Sequence, residues 1–360
     1  MSVSLFFYKF VLLKRDEWPM KNVFSSRILE WYESYGRNLP WRHTKDPYCI
    51  WVSEVILQQT RVAQGMSYYH RFLESFPNVE ALASASEEQV LLLWQGLGYY
   101  SRARNMHAAA KQIVEIGGFP SDFKQILSLK GVGEYTASAI ASFAFDEPRA
   151  VVDGNVYRVL SRYFGVDSPI DSPAGKKTFN TLAQEVMDVS MPALYNQAIM
   201  DFGALQCIPK GVDCHACPLH ETCVAFHEQS VQFLPRKERN VKIRKRYFTY
   251  IYIRNSHNEV LIEQRKEKDI WHHLYQLPLI ESDHPLSHID VAEMFPQSEV
   301  FFCVSPIVHQ LTHQRIIAQC VKIESAPDSF LKNRQWVSIA SLHEYVFPQL
   351  LLRILDKILE

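Results

Sequence analysis

The chain has no apolar run long enough to span a bilayer, which excludes an integral helical membrane protein. Its opening stretch, M-S-V-S-L-F-F-Y-K-F-V-L-L-K-R, is apolar but short, with no basic residues ahead of the apolar part and no small-residue cleavage site. A secretory signal is therefore not expected, and a cytoplasmic protein is. Met20 stands directly before a helix-like stretch, so residues 1–20 read as an N-terminal extension. Internal repeats and low-complexity tracts are absent, which removes solenoid and disordered classes. Net charge is only −1, so charge alone neither requires nor excludes a polyanionic partner.

What is present is globular material: 47% hydrophobic, 12% aromatic and 21% charged residues. A length of 360 residues favours two domains. Apolar residues recur at helical spacing from Val23 to Phe226, with Phe24, Ile28, Trp31, Tyr32 and Tyr35 forming one stripe. Ser86 with Gln89 reads as a capping box before V-L-L-L-W, and Gly96 as a stop. Pro173 and Pro192 suit first helical turns. After the run R-K-E-R-N-V-K-I-R-K-R, residues 236–246, the texture turns to strands. Y-F-T-Y-I-Y-I and V-L-I-E-Q read as a hairpin, E-V-F-F-C-V and R-I-I-A-Q-C-V-K-I as further strands, and F-P-Q-L-L-L-R-I-L-D-K-I-L as a closing helix. The expected architecture is an all-α domain over 21–227, a basic linker over 228–246 and a small α+β domain over 247–360. The basic run is either a solvated connector or a phosphate contact, as are Arg102, Arg104 and Lys111.

Four of the seven cysteines, Cys207, Cys214, Cys217 and Cys223, fall as C-x6-C-x2-C-x5-C. Without a signal peptide, disulfides are disfavoured and metal is the chemistry that wants such thiols. Structural zinc usually brings two C-x2-C knuckles, whereas one such pair with wider flanks suits an iron–sulfur cube better. Spacing leaves both open. Cys49, Cys303 and Cys320 are isolated and read as packing residues. In I-L-S-L-K-G-V-G-E-Y-T-A-S-A-I, Gly131-Val132-Gly133 separates two helical runs and offers backbone amides to a phosphate. A plain helix connection is the alternative.

That hairpin, placed before the four cysteines in an all-helical domain, resembles the helix-hairpin-helix superfamily of DNA glycosylases. The resemblance sharpens at L-P-W-R (Leu39 to Arg42), W-V-S-E-V-I-L-Q-Q-T (Trp51 to Thr60), W-Q-G-L-G-Y-Y (Trp94 to Tyr100), V-D-G-N-V (Val152 to Val156) and N-Q-A-I-M-D-F-G-A (Asn196 to Ala204). With the cysteines these look like the glycosylase family that removes adenine mispaired with 8-oxoguanine.

Hydrolysis of an N-glycosidic bond needs an acid for the leaving base and a carboxylate for the cationic sugar. Glu54, among Trp51, Val52, Val55, Ile56 and Leu57, suits a desolvated acid with a raised pKa. Asp153, ahead of a helix-like N-V-Y-R-V-L-S-R-Y, suits an ionised stabiliser or transient nucleophile. The bland alternatives are a helix charge and an N-cap. Tyr135 stands where similar lyases carry lysine; a phenol forms no imine, so strand cleavage is not expected. The resemblance further implies that Tyr135 and Asn155 support Asp153. It makes Gln59 and Tyr99 wedge residues, brings Thr60 against the opposite base, and builds an adenine pocket from Trp41, Arg42 and Gln197.

K-D-I-W-H-H-L-Y-Q-L-P-L-I, residues 268–280, resembles the start of that family's Nudix-like domain. Residues 247–360 lack the R-E-x-x-E-E helix of nucleotide-diphosphate hydrolases, so that activity is not expected. The family's reading loop for 8-oxoguanine aligns with Leu311, Thr312 and His313, with Leu311 replacing an aromatic. The resemblance implies a monomeric, monofunctional glycosylase with a [4Fe-4S] cluster on Cys207, Cys214, Cys217 and Cys223. Its partner would be double-stranded DNA holding adenine opposite 8-oxoguanine or guanine. Two rivals stand beside it: a glycosylase-lyase for oxidised pyrimidines, and an inert iron–sulfur DNA-binding module.

Overall fold

A computed structural model describes residues 19–238 and 243–359. All but the last two residues of the expected extension, and residues 239–242 of the basic run, lie outside them. Helices α1 (Pro19–Tyr35), α2 (Pro47–Leu57), α3 (Val62–Ser75), α4 (Val79–Ser84), α5 (Glu87–Trp94), α6 (Ser101–Glu115), α7 (Phe123–Ser128), α8 (Glu134–Phe145), α9 (Gly154–Phe164), α10 (Pro173–Val186), α11 (Pro192–Asp201) and α12 (Val224–His227) occupy the first part. Strands follow: β1 (Arg244–Ile253), β2 (Glu259–Gln264), β3 (Tyr275–Gln276), β4 (Leu279–Ser282), then α13 (His288–Met294), β5 (Val300–Gln310), β6 (Gln314–Ile323), α14 (Asp328–Leu331), β7 (Gln335–Ser338) and α15 (Gln349–Leu359). The expected class holds: a helical part followed by a small α+β part. Among the described residues, no helix is long and apolar enough to cross a membrane.

The chain packs as two compact units, residues 19–59 with 112–238 and residues 60–111 with 243–359. The expected 21–227 domain is thus shared between them. In the first unit, Phe24, Ile28 and Trp31 of α1 pack with Val159 and Tyr163 of α9, Phe179 of α10, and Tyr195 and Ile199 of α11. Each such burial contributes about 1.5–3 kcal/mol relative to exposure. Local chemistry sets the ends: Asp46 caps α2 by accepting from Tyr48 N, and Pro47, Pro173 and Pro192 begin their helices. After Asp201, α11 relaxes into a π turn, Phe202–Gln206, a distortion often found at functional sites.

In the second unit, Ser86 and Gln89 form the capping box of α5. Polar contacts tie residues 95–104 to the later chain: Tyr100 Oη donates to Phe347 O, Phe347 N to Gln95 Oε1, and Arg104 Nη1 to His272 O at 2.8 Å. A four-stranded sheet has the order β4-β1-β6-β5 and a three-stranded one β3-β2-β7. β1 lies between antiparallel β4 and parallel β6, and it alternates. Phe248, Tyr250 and Tyr252 face a core with Leu350, Leu351 and Ile354 of α15, while Ile251 and Ile253 face Val291 and Phe295. The expected β1–β2 hairpin is corrected here. A single bridge, Arg254 to Val260, links them before they part into different sheets. A strand buried on both faces needs a partner on both edges, and β6 and β4 supply them.

Candidate active site

Glu54 sits on α2 with only 6% of its surface exposed. The Tyr135 hydroxyl, from the first turn of α8, donates to Glu54 Oε2 at 2.9 Å. Burial pushes the Glu54 carboxyl up to about 7; the Asp153 charge pushes the same way, while the Tyr135 hydrogen bond and Arg42 pull back. Tyr135 itself is held well above the ordinary phenol range by burial and by both carboxylates, so it stays a donor. Glu54, Tyr135 and Asp153 are therefore coupled through their charges and the Tyr135 hydrogen bond.

Asp153 is the N-cap of α9: Oδ1 accepts from Asn155 N at 2.8 Å and Val156 N at 2.7 Å, and Oδ2 from Asn155 Nδ2 at 2.8 Å. The sequence reading let helix-end amides decide its charge. Burial is the larger effect and raises Asp153 above the usual carboxylate range, with those hydrogen bonds and Arg158 opposing it. Cap and enclosed carboxylate are one residue. Asn155 Oδ1 in turn accepts from Arg158 Nη2 at 2.9 Å, and Arg158 also donates to Gly203 O and, through Nε, to Cys207 O at 2.7 Å.

The residues matched to an adenine pocket are placed less freely than expected. Arg42 is clamped by the fully buried Asp201, with Nη1 to Oδ2 at 2.6 Å and Nη2 to Oδ1 at 2.7 Å, and Arg37 binds the same carboxylate. Although burial pushes Asp201 upward, the two guanidinium groups hold it below its ordinary range. Trp41, in a short 3₁₀ turn, is 7% exposed and belongs to the core. Tyr32 Oη donates to Gln197 Oε1 at 3.3 Å, which turns the Gln197 amide nitrogen toward other acceptors. Sequence reasoning missed Tyr32, Arg37, Arg158 and Asp201 as parts of the site. Asp201 lay inside a quoted motif, N-Q-A-I-M-D-F-G-A, and an acidic residue in an apolar run was the available signal.

The hairpin forms as expected between α7 and α8. Gly131 takes φ +75, which requires glycine; Gly133 has ordinary φ, and a Cβ there meets open space. The turn itself therefore does not require glycine at 133. Val132 is buried.

Gln59 and Tyr99 adopt left-handed backbone at φ 59 and 48, strain that a fold retains where a side chain must be presented. Thr60 follows Gln59 and is half-buried. In the second unit Tyr99, 46% exposed, places its hydroxyl 2.7 Å from Thr312 Oγ1. The guanidinium of Arg102 lies over Trp94 and Tyr99, so Arg102 backs the aromatic side chain, and Arg104 is engaged by His272. His313 is exposed and its carbonyl accepts from Arg244 N, while Leu311 packs against the β-sheet core.

Cys207, Cys214, Cys217 and Cys223 line one cavity with Arg162, Val212, His220, Phe226 and Val231. Arg162 Nη1 lies 3.5 Å from Cys207 Sγ and donates to Ile208 O at 2.8 Å. Burial pushes the Cys217 thiol up to about 12, and the other three thiols add to it; Cys214 and Cys223 are also raised. Such a set becomes favourable as thiolates when a cationic centre lies among them. The donor set, its enclosure and the flanking guanidinium fit an iron–sulfur cluster. Among the described residues, no three His, Cys, Asp or Glu side chains are grouped so as to hold a metal ion.

Residues 52–186 match the HhH-GPD superfamily of base excision DNA repair proteins, and residues 249–357 match the NUDIX domain. An adenine DNA glycosylase of Buchnera aphidicola subsp. Schizaphis graminum is 32% identical over 93% of this chain and 98% of its own length. The adenine DNA glycosylase of Mus musculus is 43% identical over 56% of this chain and 42% of its own. A solved thermostable thymine-DNA glycosylase superposes with a TM-score of 0.54 and 30% identity, covering 58% of this chain and 97% of that one. By length of match and identity, the chain belongs to the adenine DNA glycosylase family.

Proposed function

We propose that the protein is a monofunctional DNA glycosylase that hydrolyses the N-glycosidic bond of adenine opposite 8-oxoguanine, and opposite guanine. The observation that supports this reading is the Glu54–Tyr135–Asp153 group: Tyr135 donates to Glu54, Asp153 has its own separate donors, and the two carboxyl groups lie close enough to couple by charge.

Adenine leaves the stack at a cost of a few kcal/mol, and Gln59 and Tyr99 are each matched to the family's wedge residues. Tyr135 donates to Glu54 Oε2, so the carboxyl proton resides on Oε1 and passes from there to the departing purine. Asp153 carries three donated hydrogen bonds against one for Glu54, so of the pair Asp153 ionises first. Its carboxylate steadies the cationic sugar until water attacks. Arg42, fixed by Asp201, and Gln197, fixed by Tyr32, frame the purine's edge. No lysine occupies position 135, so no imine forms and the strand stays intact.

Cys207, Cys214, Cys217 and Cys223 would hold a [4Fe-4S] cluster, which when bound neutralises four clustered thiolates and orders the loop against α9. In domain terms, 21–227 carries the excision chemistry, 228–246 connects, and 247–360 reads the opposite base through Thr312 and His313. DNA is the partner, with the protein acting as a monomer in the cytoplasm.

The test is excision from one duplex oligonucleotide holding adenine opposite 8-oxoguanine, with and without alkali. The expected product is an abasic site, cleaved only after alkali. Strand cleavage without alkali, trapped by borohydride, would establish the lyase reading instead; DNA binding without any excision would establish the inert module.

A further inference from the structure

Cys303 and Cys320 take part in none of the chemistry above. Cys320, on β6, is fully buried in the core beside Tyr250, Tyr252 and Val304, whereas Cys303, on β5, is exposed. The two strands pair Phe302 with Val321 and Val304 with Cys320, so β5 carries one extra residue at this point. That residue is Cys303. A bulge sets two neighbouring residues against one on the facing strand, here Cys303 and Val304 against Cys320. As a thiol, Cys303 donates to Cys320 O with Sγ 3.4 Å from the oxygen.

Their surroundings divide the labour. Its neighbour Cys320, with Lys322 nearby, holds the Cys303 thiol below its ordinary range, while burial keeps Cys320 protonated. An exposed, easily ionised sulfur thus lies against a buried partner.

We propose that Cys303 and Cys320 are a peroxide-oxidised dithiol whose disulfide staples the β5–β6 hairpin that ends in Leu311, Thr312 and His313. In the first step the Cys303 thiolate attacks one oxygen of hydrogen peroxide. The O–O bond breaks, Cys303 becomes a sulfenic acid, and the leaving hydroxide takes a proton to become water. In the second, the Cys320 sulfur attacks the Cys303 sulfur; the S–O bond breaks and the departing hydroxyl leaves as water with the Cys320 proton. Two thiols are oxidised and one peroxide is reduced to two waters. Formation of the bond does not depend on the glycosylase reading; only its consequence for a base-reading loop does.

The test treats the complete protein with hydrogen peroxide, blocks free thiols, digests without reductant and maps the peptides by mass spectrometry. The expected result is a Cys303–Cys320 peptide pair two hydrogens lighter than its parts, restored by dithiothreitol and abolished in Cys303→Ser. In Cys320→Ser, Cys303 is expected to label with a sulfenic-acid probe severalfold more than in the parent. Cys320 is buried, so the exposed-site variant Cys303→Ser and the parent map stand even where Cys320→Ser folds poorly. Oxidation of Cys303 in the parent to sulfinic acid without the linked peptide, or a peptide linking either thiol to a different cysteine, would overturn the proposal. So would an unoxidised Cys303 after peroxide has attacked other cysteines.

Discussion

Glu54 shows how burial moves an ordinary carboxyl toward neutrality. Its carboxyl moves from an ordinary 4.5 to about 7, so between those values the folded protein holds a proton that the unfolded chain releases. Folding stability from this group is therefore unaffected below about pH 4.5, falls as pH rises, and by pH 7 is lower by about 3 kcal/mol at most. Glu54→Gln keeps an acceptor for Tyr135 but has no proton to lose. Urea unfolding at pH 5 and pH 8 should show the variant gaining on the parent as pH rises, while excision is lost; equal stability at both pH values would deny the raised pKa. The apolar neighbours that raise Glu54 were visible in W-V-S-E-V-I-L. The burial of Asp153 was not, because the local run D-G-N-V-Y-R shows only the groups that oppose it, Asn155, Val156 and Arg158.

Elements place these residues through backbone contacts that motif spacing does not reveal. Gly203, in the π turn after α11, has no room for a Cβ: it would lie 2.7 Å from Asn155 Cβ and 2.9 Å from Asn155 O. Gly203→Ala must displace the first turn of α9 and with it the hydrogen bonds of Asp153, at a cost of about 1–3 kcal/mol. The expected outcome is a retained helical circular dichroism spectrum, a lower Tm and at least a tenfold slower single-turnover excision. The cysteine loop leans on the same helix, since Arg158 and Arg162 of α9 both donate to carbonyls between Gly203 and Pro209. Cys217→Ser removes a thiol that burial pushes up to about 12 and should lower bound iron and visible absorbance relative to the parent; full iron content would remove Cys217 from the ligand set. Helix starts were legible because capping and proline rules are local, as at Ser86 and Pro192. The β1–β2 hairpin was misread because partner choice belongs to the sheet: V-L-I-E-Q looks the same whether it folds back on β1 or joins β7.

At the scale of the whole molecule, Glu54, Tyr135 and Asp153 fall in the first compact unit, and Tyr99 and Thr312 in the second. The sequence pointed to both sets of residues, yet the Tyr99–Thr312 hydrogen bond, across 213 positions, was beyond its reach. Thr312→Ala removes the partner of the Tyr99 hydroxyl and leaves Glu54 untouched. Excision of adenine opposite guanine should stay within about twofold of the parent, while the preference for 8-oxoguanine shrinks. The account as a whole rests on a protonated Glu54 beside an ionised Asp153. Single-turnover excision measured from pH 5 to pH 9, in the parent and in Tyr135→Phe, tests that most directly. The account predicts a rate that falls tenfold per unit above an alkaline limb near pH 7, with the limb displaced to higher pH in Tyr135→Phe because a hydrogen bond favouring the carboxylate is gone. A rate independent of pH between 6 and 9, or a limb that Tyr135→Phe leaves in place, would contradict it.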